Sequence, residues 1–78
     1  MTGRDNHHSS DEILRRIGEK VRELRKDQDK NYEDFARKHQ INKVTLQRLE
    51  TGQNFTMKSL VEILGILDVS IEDFFRDL

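Results

Sequence analysis

Apolar residues recur along this chain at steps of three and four, and the polar stretches between them divide it into helical segments. Leu14, Ile17, Val21 and Leu24 share one helical face, widened by Ile13, and predict a first helix over about residues 11–26. Ser10 is its expected capping hydroxyl, with Asp11 and Glu12 at the positive end of the dipole and Arg25 and Lys26 at the negative end. Arg15, Arg16, Lys20 and Arg22 then fall on an outer face, where Glu19 and Glu23 offer them partners. After a polar connector, Asn31 caps a second helix of about residues 32–39, with Phe35 facing the core and Ala36 small where the next helix crosses. Gln40 to Asn42 make a turn. Asn42 caps a third helix of about residues 43–51, with Leu46 and Leu49 as its inward pair, and Gly52 ends it in the left-handed conformation. Thr56 caps a fourth helix whose apolar face is Met57, Leu60, Val61, Leu64 and Leu67, with Ile63 and Ile66 broadening it. Gly65 within it costs on the order of 1 kcal/mol against alanine and suggests close approach of another helix. Ser70 caps a last short helix carrying Ile71, Phe74 and Phe75. No stretch sustains apolar/polar alternation, so the fold class is all-α.

The stretch from Tyr32 to Gly52 organises the rest. It reads as two short helices joined by a tight turn, held together by Phe35, Ala36, Ile41, Leu46 and Leu49. Its second helix leaves Lys43, Val44, Thr45, Gln47 and Arg48 pointing outwards. A short helix held across another and tipped with donors is what the major groove of DNA admits. Val44 lies between the inward and outward sets. As a groove residue it packs on a thymine methyl.

Composition narrows the alternatives. Seventy-eight residues make one domain, here a flexible N-terminal arm over residues 1–10 and a helical unit over 11–78. There is no cysteine, hence no disulfide or thiolate metal site, which fits a reducing cytoplasm. No apolar run is long enough to span a bilayer, and the first ten residues lack the apolar core of a secretory signal. His7 and His8 are adjacent, point apart on any regular element, and read as solvated rather than as metal ligands. His39 reads as a capping residue at the end of the second helix. With no acid/base pair and no phosphate loop, an enzyme and a cofactor are not expected.

Net charge is -1, but its distribution is uneven. Residues 1–14 carry -2, residues 15–58 carry +5 and residues 59–78 carry -4. The basic block contains the central unit, and the acidic C-terminal block is expected to face away from DNA. Two adjacent phenylalanines cannot both face one core. Ile66, Ile71, Phe74, Phe75 and Leu78 are therefore the candidate dimer contacts, against the alternative of a tail folded back over the core.

IGEKVRELRK in the first helix, the alanine of the second, the Leu-x-x-Leu-Glu-x-Gly end of the third and the closing LDVSIEDFF together resemble the XRE, or phage Cro/repressor-like, helix-turn-helix family. The resemblance runs from about Ile13 to Leu78. It implies a compact five-helix, lambda-repressor-like domain that binds double-stranded DNA as a homodimer and represses transcription. It implies base contacts from Lys43, Val44, Gln47 and Arg48. It implies phosphate contacts from Tyr32, Asn42, Thr45, Gln53, Asn54 and Thr56, with charge from Lys58, and a structural role for Glu50. Two positions depart from the family pattern. Tyr32 stands where glutamine is common, although a phenol still donates to phosphate. Gln40 stands where glycine is common, so either the turn is strained by about 1–2 kcal/mol or its shape differs. The competing reading keeps the fold but makes it a protein-interaction module, or an antitoxin-type component that binds both DNA and a protein partner.

Overall fold

The five helices among the described residues all contribute to one apolar core. The computed structural model describes residues 2–78, with side chains from Ser10 onward. The helices are α1 (Thr2–Gln28), α2 (Tyr32–Lys38), α3 (Lys43–Glu50), α4 (Met57–Ile66) and α5 (Ile71–Arg76), and no strand occurs among the described residues. Ile17 and Val21 of α1, Phe35 and Ala36 of α2, Leu46 and Leu49 of α3, Leu60, Ile63 and Leu64 of α4, Leu67, and Phe74 of α5 are all buried together. The all-α reading of the periodicity is therefore the observed fold.

The caps follow the side-chain chemistry. The Asn31 and Asn42 side-chain oxygens each accept two backbone N–H bonds at the start of α2 and α3. Thr56 accepts from Ser59 N and Ser70 from Asp73 N. One start differs. Helix α1 begins at Thr2, so Ser10 lies inside it and caps nothing. Extending an existing helix needs only propagation, without a second nucleus. The arm expected over residues 1–10 falls largely on side chains outside the described set.

Three helices end in the same way. Ile41 N donates to Ala36 O and Gln40 N to Arg37 O; Gln53 N donates to Arg48 O and Gly52 N to Leu49 O; Val69 N donates to Leu64 O and Asp68 N to Gly65 O. Each is a Schellman pair, and each needs a residue with positive φ. Those residues are Gln40 (φ 57°), Gly52 (φ 78°) and Asp68 (φ 61°). Gln40 thus keeps the glycine-like turn and accepts its strain. Asp68 was not anticipated, although aspartate tolerates this region better than most residues.

Helix α1 comes hard against the end of α3 at Gly18. A Cβ there would run into the carbonyl oxygen of Leu49 and lie 2.8 Å from that of Glu50. Gly65 behaves oppositely. Nothing lies within 4 Å of where its Cβ would be, so no helix approaches it and the expected crossing is absent. Met57 and Val61 also differ from expectation, at 61% and 42% exposed. The buried stripe of α4 is Leu60, Ile63, Leu64 and Leu67. Val61 is turned about 100° from Leu60, and Met57 is the first residue of the helix. Phe74 is wholly buried and is thereby removed from the candidate dimer surface, while Phe75 packs edge-on against it, half-buried.

The two glycines give a matched test. Gly65→Ala should stabilise the fold by about 1 kcal/mol, because the helix gains propensity and no neighbour is touched. Gly18→Ala should destabilise it by about 1–3 kcal/mol through overpacking against backbone that cannot withdraw. Urea unfolding followed by circular dichroism measures both. Equal shifts in the same direction would contradict the α1–α3 approach described here.

Candidate nucleic-acid interface

Helix α3 has one face locked and one face free. Leu46 and Leu49 are wholly buried, which fixes its rotation about its own axis. Lys43, Val44, Gln47 and Arg48 are then all exposed, and Val44 at 48% lies on the outward side of the helix. The residues expected to touch bases thus share one surface. Arg48 forms no ion pair among the described residues. Lys43 does: its Nζ lies 3.3 Å from Oε2 of Glu33 on α2.

The expected phosphate contacts divide by what their atoms already do. Asn42 Oδ1 accepts from Val44 N at 2.8 Å and Thr45 N at 3.2 Å, leaving its NH2 to donate outward. Thr56 Oγ1 accepts from Ser59 N and donates to Ser59 Oγ, so its hydroxyl serves the cap of α4. Gln53 Nε2 donates to Thr51 Oγ1. Asn54 and Lys58 are exposed. Thr45, Arg48, Asn54, Phe55, Thr56 and Ser59 line a cleft of about 150 Å³ between α3 and the start of α4. Tyr32 is half-buried with its ring against the core, and its hydroxyl has no hydrogen-bond partner among the described residues.

What holds this surface in place is a charge pair at the far end of α3. Arg25 is 4% exposed and Glu50 7%. Arg25 Nε and Nη2 donate to the two Glu50 oxygens at 2.8 and 2.7 Å, and Nη1 donates to the carbonyls of Asp29 and Lys30 at 3.0 and 2.9 Å. The Glu50 hydrogen bond raises the guanidinium pKa above its ordinary value, overcoming the opposing effect of burial. Arg25 therefore keeps its charge throughout any physiological range. It fastens the end of α1, the connector before α2 and the end of α3 in one bidentate site. Glu50 takes the structural role the family resemblance implied. Arg25 was read from sequence only as a helix-end cation. Its signal was visible: it falls four residues after Val21, on the buried stripe, where a lone charge needs a partner.

Lys20 is another reassignment. Far from being a solvated or phosphate-facing cation, it donates to Phe74 O at 3.0 Å, lies over the Phe74 ring and reaches Asp77 at 3.5 Å, tying α1 to α5. Arg15 and Arg16 pair along the helix with Glu19 and Glu12. His39 is the C-cap of α2, as expected, and its ring packs on Phe35. The remaining dimer candidates are half-buried Ile66, Phe75 and Leu78 and exposed Ile71. No helix among the described residues is long and apolar enough to cross a membrane.

A family model described as helix-turn-helix matches residues 21–74. No curated protein and no solved structure matches.

The Arg25–Glu50 site predicts strong non-additivity. Arg25→Met alone, or Glu50→Leu alone, should cost about 3–5 kcal/mol by leaving one buried charge unpaired. The double substitution should recover much of that loss, because two apolar side chains replace two charges. Denaturation midpoints of the four proteins in the cycle provide the check.

Proposed function

The chain belongs to the XRE-type helix-turn-helix family, a family of DNA-binding regulators, and from that premise we propose that it is a sequence-specific transcriptional repressor. The observation that carries this reading is the outward face of α3: Lys43, Val44, Gln47 and Arg48 exposed together on a helix whose inner face is wholly buried. Side chains on a helix fixed in this way are held in one direction, as contact with base edges requires.

Two copies bind one operator, each placing α3 in a major groove, with half-site centres about 34 Å apart. Arg48 and Lys43 donate to guanine, Gln47 pairs with adenine, and Val44 packs on a thymine methyl. Tyr32, Asn42, Thr45, Gln53, Asn54 and Lys58 set register on phosphates, with Thr56 shaping the loop that does so. The copies meet through Ile66, Ile71, Phe75 and Leu78. Repression follows from occupying a promoter, in the cytoplasm. DNA is the ligand this surface favours over a protein, because its outward residues are predominantly donors.

Selection from a random duplex pool should enrich a palindromic motif, and binding should weaken steeply as salt rises. On the selected operator, Arg48→Ala or Gln47→Ala should lose about 1–3 kcal/mol of binding free energy per bidentate contact, with the folded state unchanged. Wild-type binding by both variants would refute the assignment of α3 as the reading helix.

A further inference from the structure

Lys43, the first residue of α3, meets Glu33, the second residue of α2, at 3.3 Å across the junction between the two helices. The pair stands beside a shallow cleft lined also by Ala36, Arg37 and Ile41. Arg37 is held by Asp34 on its own helix, so Lys43 is the cation that Glu33 engages. Both partners are more than half exposed, and such pairs add little to stability. An acid here also has a cost in binding. The first turn of a recognition helix is the part that enters the groove, and a carboxylate beside it repels phosphate whatever the sequence. An acid in this place suits the positive end of α2, and it offsets its cost in binding where it meets a donor on a base.

The couple is a donor and an acceptor held side by side. The ammonium keeps donors beyond the one that Glu33 occupies, and the carboxylate is acceptor only. In the major groove, guanine shows N7 and O6 as acceptors and cytosine shows N4 as a donor. O6 and N4 of one G·C pair are hydrogen-bonded to each other, so they lie about 2.9 Å apart. That is close to the 3.3 Å between Lys43 Nζ and Glu33 Oε2, with the polarity reversed. The other base pairs fit less well. The N6 donor of adenine is flanked by its own N7 and by thymine O4, both acceptors, so a carboxylate on N6 is always pressed against a second lone pair. The N4 donor of cytosine has an acceptor on one side only, and that one is taken by the lysine. Inverting the pair to C·G puts like against like.

We propose that Glu33 and Lys43 together read one G·C base pair in a fixed orientation in each half-site, with Glu33 the specificity-determining residue. The proposal rests on the DNA-binding reading above. Glu33 rejects the other base pairs as much as it favours this one, which is how a repulsive group creates specificity.

The test uses the full chain and duplexes built on its pool-selected motif. The wild type should show one invariant G·C per half-site, and inverting it should weaken binding roughly tenfold or more. Glu33→Ala should bind the mismatched duplexes more tightly than the wild type does. Its discrimination at that position should fall below about threefold, while preferences at all other positions persist. Glu33→Gln, which keeps the bulk and one acceptor, should fall between, and guards against any loss of fold in the alanine variant. If the wild type selects a motif but both variants change affinity by the same factor for every base pair, or if no G·C is invariant, the assignment of Glu33 is overturned and the DNA-binding reading stands. If the wild type selects no motif, the reading beneath it fails, and this inference with it.

Discussion

The buried pair of Arg25 and Glu50 is the constraint on which the placement of the helices depends. Two charges removed from water carry a desolvation penalty that Coulomb attraction alone often fails to offset. Here the penalty is met with geometry. Four of the five guanidinium donors are used, two on the carboxylate and two on backbone carbonyls of the connector. No buried side-chain nitrogen or oxygen among the described residues lacks a partner. Gly18 makes this possible from two turns earlier on α1. Its missing side chain lets the carbonyls of Leu49 and Glu50 come against the helix, which carries the Glu50 carboxylate to Arg25. The end of α3 is thereby pinned to α1, and its outward face inherits that fixed orientation.

Short helices need this kind of anchoring. After α1, the helices have 7, 8, 10 and 6 residues, lengths at which an isolated helix is marginal in water. Each begins with a side chain that satisfies its own first N–H groups, and three end in a Schellman pair that satisfies the last carbonyls. The strain at Gln40 belongs to this scheme. Its positive φ directs the chain from α2 into α3 across the four residues between them, so a local cost secures the crossing of the two helices. Lys20, held between the Phe74 carbonyl and Asp77, does for α5 with one side chain what Arg25 does for α3.

The ion pairs also change the meaning of the charge distribution. The central stretch is basic by count, yet Arg15, Arg16, Lys20, Arg25, Arg37, Lys38 and Lys43 all have acidic partners. Among the described residues of that stretch, Arg22, Lys26, Lys30, Arg48 and Lys58 have no acidic partner, and of these Arg48 lies on α3 and Lys58 at the start of α4. The charge that a polyanion would meet is therefore set by a few placed cations rather than by the net charge of -1.

The sequence by itself determined the elements and the outward row of α3. Periodicity placed five helices, the cap residues marked four of their starts, and the step from Leu46 to Leu49 settled which side of α3 is free, because these features act through neighbours three and four residues away. What it did not determine depends on distant neighbours. Arg25 and Lys20 looked like surface cations because their partners lie 25 and 54 residues further on. The two mid-helix glycines have opposite surroundings, one against a backbone and one in open space, and nothing local distinguishes them. Met57, Val61 and Phe74 all carried the same apolar signal, yet only Phe74 is enclosed. Burial is a property of what arrives from elsewhere in the chain, so only the tertiary structure could decide which apolar residues form the core and which charges hold it closed.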